Sequence, residues 1–206
     1  MNITEVKTAF KIADVEIIPA SAALKFVYLK NLKDECGNVL PQSILAENVA
    51  RVYLIVVDGE ILKIGGSQDK GGMKGTLRIY QTGGVGGRPS IRSYGIWYFL
   101  FKAAIEKHKV EFYMIYQENF NTMVKGLLGL HEVKNAALNY KLLEECCESD
   151  YKNCENGKYP KWNIQEQGGD WPQEVKKQHA DITIKSTANK TKKGRKEINS
   201  DFGLAP

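Results

Sequence analysis

The sequence predicts an α+β fold, and three features carry that expectation. Val52-Tyr53-Leu54-Ile55-Val56-Val57 is a β-branched run, Asp58-Gly59 is a turn signal, and Ile61-Leu62-Lys63-Ile64 is a second run. Two such runs around a tight turn read as a β-hairpin. Ser90 or Ser93 is placed to cap a helix running to about Lys107, with Trp97, Phe101, Ala104 and Ile105 along a buried face. Val110 to Tyr116 reads as a third strand, and roughly Val133 to Glu148 as a long helix with Ala136, Ala137, Tyr140, Leu143 and Cys147 on its apolar side. The resulting order is β-β-α-β-α.

Residues 1–50 read as a lead-in to that unit. Val15 to Ile18 and Leu24 to Leu29 have strand-like content, Pro19 and the Gly37/Pro41 region interrupt them, and Gln42 to Val49 suits a short helix. Residues 65–95 contain ten glycines, a density that marks loops with unusual backbone angles or close approaches. Neither GxxxxGK[ST] nor GxGxxG is present, which argues against a nucleotide site. From Lys176 to Lys196 the chain is lysine-rich and polar, and is expected to be partly disordered or to order on DNA.

At 206 residues, with 43% hydrophobic and 26% charged residues, the composition is that of a globular domain. The longest apolar stretches, such as Ile96 to Phe101, have six residues, far short of the ~18 a membrane span needs. The N-terminus carries acids and no secretory h-region. Cys36, Cys146, Cys147 and Cys154 form no CxxC pair and read as reduced thiols. A cytoplasmic, membrane-free protein is the expectation. The net charge of +5 is uneven: residues 61–110 hold nine Lys or Arg against two acids, and residues 171–206 hold eight against four. Clustered positive charge is the electrostatic footprint of a polyanion binder. By itself such a cluster is also what an ordinary solvated basic face looks like.

The hairpin carries Val52-Tyr53 and then Lys63-Ile64-Gly65, with Arg78 following and Ser67 two positions after Gly65. These residues resemble the GIY-YIG nuclease superfamily, and look closest to its small type II restriction endonucleases in which KIG stands in place of YIG. The resemblance covers about residues 50–163. It implies a small three-stranded antiparallel sheet flanked by helices, with residues 1–50 as an N-terminal extension, 51–163 as the nuclease core, and 164–206 as a basic C-terminal extension. It also implies a sequence-specific DNA endonuclease that uses Mg2+ (or Mn2+), acting on double-stranded DNA as a homodimer.

On that resemblance the catalytic residues are Tyr53, Lys63, Arg78 and Tyr80. Hydrolysis of a phosphodiester needs an activated water and charge stabilisation on the pentavalent transition state. A phenol with a pKa near ~10 is a poor base alone, and an ammonium beside it favours the phenolate. Tyr53 would take the proton with Lys63 as its partner, Arg78 would hold the phosphate through its planar fork, and Arg92 is the alternative for that task. Tyr80 would add a hydroxyl. Lys70, Lys74, Arg88 and Arg92 are the expected DNA-binding cations, and Asn163 in Pro160-Lys161-Trp162-Asn163 the expected brace of the site. Taken singly, Tyr53 is an ordinary strand aromatic, Lys63 an edge-strand charge and Arg78 a surface cation.

Geometry constrains this scheme. A strict two-residue Asp58-Gly59 turn pairs Tyr53 with Ile64 and sends Lys63 to the opposite face. A three-residue loop, Val57 to Gly59, pairs Tyr53 with Lys63 and gathers Leu54, Val56, Leu62 and Ile64 on the other face. The second arrangement is predicted, with Tyr53 and Lys63 looking toward a phosphate. The family's single metal-binding glutamate aligns with Asn139, a weaker ligand for a hard cation, so Glu132, two helical turns earlier, is the substitute. Glu144 and Glu145 are expected to point elsewhere. Should no carboxylate serve, the chain would instead be a catalytically weak or inactive DNA-binding protein on the same fold.

Overall fold

Asp58 and Gly59 both adopt left-handed backbone angles, φ 48° and 86°. Such a two-residue turn matches the right-handed twist of paired strands. It joins β5 (Ala50–Val57) to β6 (Glu60–Ser67) in an antiparallel hairpin. In this computed structural model, the structure describes residues 1–18, 21–84 and 89–188.

The other strands are β1 (Phe10–Ile17), β2 (Leu24–Tyr28), the short β3 (Leu32–Lys33) and β4 (Val39–Leu40), then β7 (Val110–Gln117), β8 (Phe120–Gly126) and β9 (Gly129–Ala136). Four helices complete the set: α1 (Gly72–Thr82), α2 (Ile91–Ile105), α3 (Tyr140–Cys154) and α4 (Gln173–Ala188). The fold is α+β, as expected. Its main sheet, however, has five strands in the order β2-β1-β7-β5-β6, not three. Every pairing in it is antiparallel. The difference comes from the lead-in: β1 hydrogen-bonds to the β7 edge and brings β2 with it, so these two strands of the first fifty residues are part of the sheet.

Helices α1, α2 and α4 cover one face of this sheet, where Tyr53, Ile55, Leu77, Trp97, Phe101, Phe112 and Val175 share a core. Helix α3 covers the other, with Leu143, Cys147 and Tyr151 over Val52, Leu54, Val56, Ile61 and Ile64. The alternation of odd and even residues along β5 between the two clusters is the period-2 pattern of a strand buried on both sides.

The hairpin register is neither of the two arrangements weighed from sequence. Val57 pairs with Glu60 and Val56 with Ile61, as the two-residue turn demands, but Ile55 then pairs with Lys63. Leu62 is the extra residue of a β-bulge. That one insertion moves Lys63 onto the face that carries Ile55 and Tyr53. The expected shared face is therefore present, although Tyr53 sits opposite Gly65 rather than Lys63. Ile61, not Leu62, joins Leu54, Val56 and Ile64 below.

Three further expectations change. The glycine-rich stretch holds a helix, α1, in place of a continuous loop. The helix expected over Val133–Glu148 begins only at Tyr140, because residues 120–136 form the β8–β9 hairpin. Asn139 is the N-cap: its side chain accepts from the Lys141 N–H at 3.0 Å. The expected short helix from Gln42 is a single 3-10 turn, Gln42–Leu45. The lysine-rich segment begins as α4, and its residues 189–196 lie outside the described residues. No helix of the described residues is long and apolar enough to cross a membrane.

Candidate active site

The β-ladder holds Tyr53 under the α1–α2 layer, and Gly65 directly opposite makes room for its ring. A Cβ at Gly65 would run into the Tyr53 phenol carbons. Helix α1 brings Tyr80 to the same point, and the two hydroxyls meet at 2.7 Å. Its entry loop is pinned by Arg51, buried in β5, whose guanidinium donates to the carbonyls of Glu47 (2.7 Å), Val49 (3.0 Å) and Asp69 (2.6 Å). Ser67 and Thr76 tie the end of β6 to α1 through a 2.6 Å hydroxyl contact.

Arg92 enters from the first turn of α2, which Ser90 caps by accepting from the Ser93 N–H. One guanidinium nitrogen donates to Glu166 Oε1 at 2.6 Å. Lys63 is 1% exposed, and its ammonium reaches the same Glu166 oxygen at 3.4 Å and the Ile64 carbonyl at 3.3 Å. Burial pulls the Lys63 pKa down to about 8; Glu166 opposes that shift and Arg92 adds to it. Both phenols move the other way. Burial holds Tyr53 well above the usual tyrosine range, with Tyr80 and Glu144 adding to the shift and Arg92 working against it. Tyr80 is raised as well, first by burial, while its Tyr53 contact and Arg92 oppose. Lys63 pairs with Glu166 at 3.4 Å, and its ladder partner is Ile55 rather than Tyr53. Lys63 and Tyr53 share a face, but they are buried rather than open to a ligand.

Carboxylates line the far side. Glu144 on α3 accepts from the Gly66 N–H at 2.6 Å. Gly66 leaves it space, since a Cβ there would lie 2.7 Å from the Tyr140 ring and 2.9 Å from Glu144 Oε2. Glu148, one turn on, accepts from Asn163 Nδ2 at 2.9 Å. Burial and then the charges of Glu144 and Glu166 raise its pKa. Asn163 is fully buried and grips the open edge of β6: it accepts from the Ile64 N–H at 2.9 Å and donates to the Ile64 carbonyl at 3.0 Å. Asn163, the expected brace, thus ties β6 to α3 through Ile64 and Glu148.

Several other expectations do not meet here. Arg78 stands exposed on α1, and Arg92 is the arginine beside the phenols. Lys70 and Lys74 are exposed at the start of α1, with the Lys74 ammonium 5.4 Å from the Tyr28 ring centre. Arg88 lies outside the described residues. Glu132 is an exposed residue of β9, so it is not two helical turns from Asn139 on a common face. Glu144, expected to point away, points in. Its signal was present in Asn139: an asparagine placed as N-cap starts the helix at Tyr140 and sets Glu144 and Glu148 on one face, four residues apart. Nothing local in the sequence flags Glu166.

Among the described residues no group of three or more His, Cys, Asp or Glu forms a cation cage. The donors that fit a hard divalent ion are the carboxylate oxygens of Glu144, since Mg2+ commonly takes one or two carboxylates with water and phosphate oxygens completing its shell. As a set, the site offers two cations for an anion, a hydroxyl pair and a carboxylate at one end of β6.

No family model and no curated protein matches the chain. Among solved structures it is similar to a mutant of bacteriophage T4 EndoII, at 19% identity and TM-score 0.48 over 80% of this chain and 99% of that one. It is also similar to the restriction endonuclease HPY188I in complex with product DNA, at 17% identity and TM-score 0.41 over 78% of this chain and 84% of that one. Likeness of that depth carries no argument about this chain, and its function is read from the site.

Proposed function

We propose that the chain is a metal-dependent endonuclease of double-stranded DNA, of the GIY-YIG type that the hairpin motif resembles, cutting at a specific sequence as a cytoplasmic homodimer. The observation that carries this reading is the 2.7 Å hydroxyl pair of Tyr53 and Tyr80, set beside Arg92 and Lys63 on one face of the hairpin. Arg92 binds the scissile phosphate, a planar fork suited to two of its oxygens. Lys63 adds positive charge to the developing pentavalent centre. The phenol pair orients the attacking water, whose proton passes to the Tyr53 oxygen in its phenolate form, with the Tyr80 hydroxyl donating a hydrogen bond to that oxygen.

Glu144 and Glu166 carry the negative charge that now opposes ionisation of the phenols. Glu144 would hold a divalent ion (Mg2+ or Mn2+), which when bound would supply positive charge at the leaving oxygen. Asn163 keeps β6 in register beside α3. The nuclease core is residues 51–163, with Glu166 contributed by the segment that follows. Lys70 just before α1, and Lys74 and Arg78 along it, are exposed and suit backbone phosphates away from the cut.

The burial of Tyr53 and Lys63, at 3% and 1% exposure, favours a second reading: a DNA-binding protein that does not cut. Supercoiled plasmid incubated with the pure chain separates the two. Discrete fragments that need Mg2+ and vanish with chelator are the expected result. Salt-sensitive binding with no cleavage in any divalent metal supports the second reading and contradicts the first.

A further inference from the structure

We infer that Glu166 is an internal stand-in for the substrate phosphate, so that the segment from Ile164 to Asp170 closes the site in the free protein and DNA must displace it. The inference rests on the endonuclease reading and adds a regulatory step to it.

The charge pattern is the first ground. A single oxygen of Glu166 accepts from Arg92 at 2.6 Å and faces Lys63 at 3.4 Å. Those are the two cations that would receive a phosphate oxygen, and a carboxylate oxygen between a guanidinium and an ammonium makes the same charge-assisted contacts.

Access is the second. Lys63 is 1% exposed with Glu166 against its ammonium, and Tyr53 and Tyr80 beside it are 3% and 7% exposed within the core, so no phosphate reaches the three side chains in this state. The Arg92 side chain is 44% exposed and that of Glu166 19%, which puts the way in on their side.

The third ground is how the segment is held. Before it, Trp162 N–H donates to the Leu62 carbonyl at 2.8 Å and Asn163 clasps Ile64. After it, Trp171 is buried against Gly95, where a Cβ would collide with the indole. Between those anchors the backbone bonds are within the segment or back to Asn163: Gln167 N–H to Asn163, Gly168 N–H to Gln165 and Gly169 N–H to Ile164. Gly168 has φ 66°, and the Gly168-Gly169 pair supplies a hinge. Ion pairs of Glu166 to Arg92 and Lys63 hold the middle of the segment, while Gln167 donates to the Pro160 carbonyl at 3.4 Å and Asp170 pairs with Lys176 at 2.6 Å near its ends.

Anisotropy titration of a short fluorescein-labelled DNA duplex, without divalent metal, tests this with wild type, Glu166→Gln, Glu145→Gln and Arg92→Ala. Glu145 is exposed on α3 next to the site and controls for loss of any nearby negative charge. Glu166→Gln is expected to bind about ten-fold tighter than wild type, Glu145→Gln within about two-fold, and Arg92→Ala more weakly. Glu166→Asp, too short to reach both cations, should fall between wild type and Gln and guards against a folding defect in the first variant. If Glu166→Gln binds no tighter than Glu145→Gln while Arg92→Ala is weakened, the stand-in role is wrong and the endonuclease reading stands. If Arg92→Ala binds like wild type, the site is not where DNA docks and both fall.

Discussion

Two hairpins in this molecule have opposite fates. The β5–β6 pair is buried on both faces, and its polar residues each meet a partner: Arg51 on three carbonyls, Tyr53 on Tyr80, Lys63 on Glu166. The β8–β9 pair is exposed on both faces, with Met123, Leu130 and the turn residues Leu127 and Leu128 in solvent. Apolar content is part of the difference, ten of the sixteen strand residues in β5–β6 against six of the fifteen in β8–β9. The other part is coverage by α1–α2 on one side and α3 on the other, and that coverage is long-range in sequence. Within the buried hairpin, charge becomes expensive unless paired, so the residues kept there point to chemistry.

The largest test of that contrast is catalytic. Arg92→Ala is expected to slow DNA cleavage by about 10²–10³-fold, the usual loss for one charge-stabilising donor, while Arg78→Ala costs less than about ten-fold. Equal losses would return the phosphate to Arg78.

Next is stability. Asn163→Ala leaves the buried N–H and carbonyl of Ile64 unpartnered, a penalty of about 2–4 kcal/mol in urea unfolding. A change under about 1 kcal/mol would mean that water replaces the amide and the brace is dispensable.

Lys63→Met should stabilise the fold by roughly 1–3 kcal/mol at pH 7 while lowering cleavage, because burying an ammonium costs more than its ion pair returns. The sign of the pH dependence follows from a folded pKa of about 8 against an ordinary 10.5. Below about 8 the charged amine is buried at full cost. Between about 8 and 10.5 the folded protein binds fewer protons than the unfolded chain, so wild-type stability rises and the advantage of methionine fades. An advantage constant from pH 7 to 10.5 would contradict the depressed pKa.

The smallest effect belongs to the other hairpin. Leu127→Ser, at a fully exposed turn, should shift unfolding by no more than about 0.5 kcal/mol. A larger loss would show that β8–β9 is covered by something in solution.

Local sequence carried much of this layout. The Asp58-Gly59 turn, the Ser90 cap and the β7 strand lie where their residue types put them, because each is decided by contacts a few residues apart. What was not legible depended on distant partners. A bulge at Leu62 is chosen by the packing of Ile61 and Lys63 on opposite faces, not by Leu62 itself. Strands β1 and β2 joined the sheet through β7, about a hundred residues away. The helix expected over Val133–Glu148 failed because Ala136, Ala137 and Tyr140 mimic an apolar stripe across a strand end and a cap. In the site, Tyr53, Lys63, Tyr80 and Asn163 came from the motif and its surroundings. Glu166 came only from the fold.

The most direct measurement is single-turnover cleavage of a plasmid by wild type and Tyr53→Phe at saturating Mg2+. Removing one hydroxyl from a 2.7 Å pair should leave the fold and DNA binding nearly unchanged and cut the rate by about 10²-fold or more. A Tyr53→Phe variant that cleaves at the wild-type rate would show that the phenol pair is core packing and that the chemistry lies elsewhere.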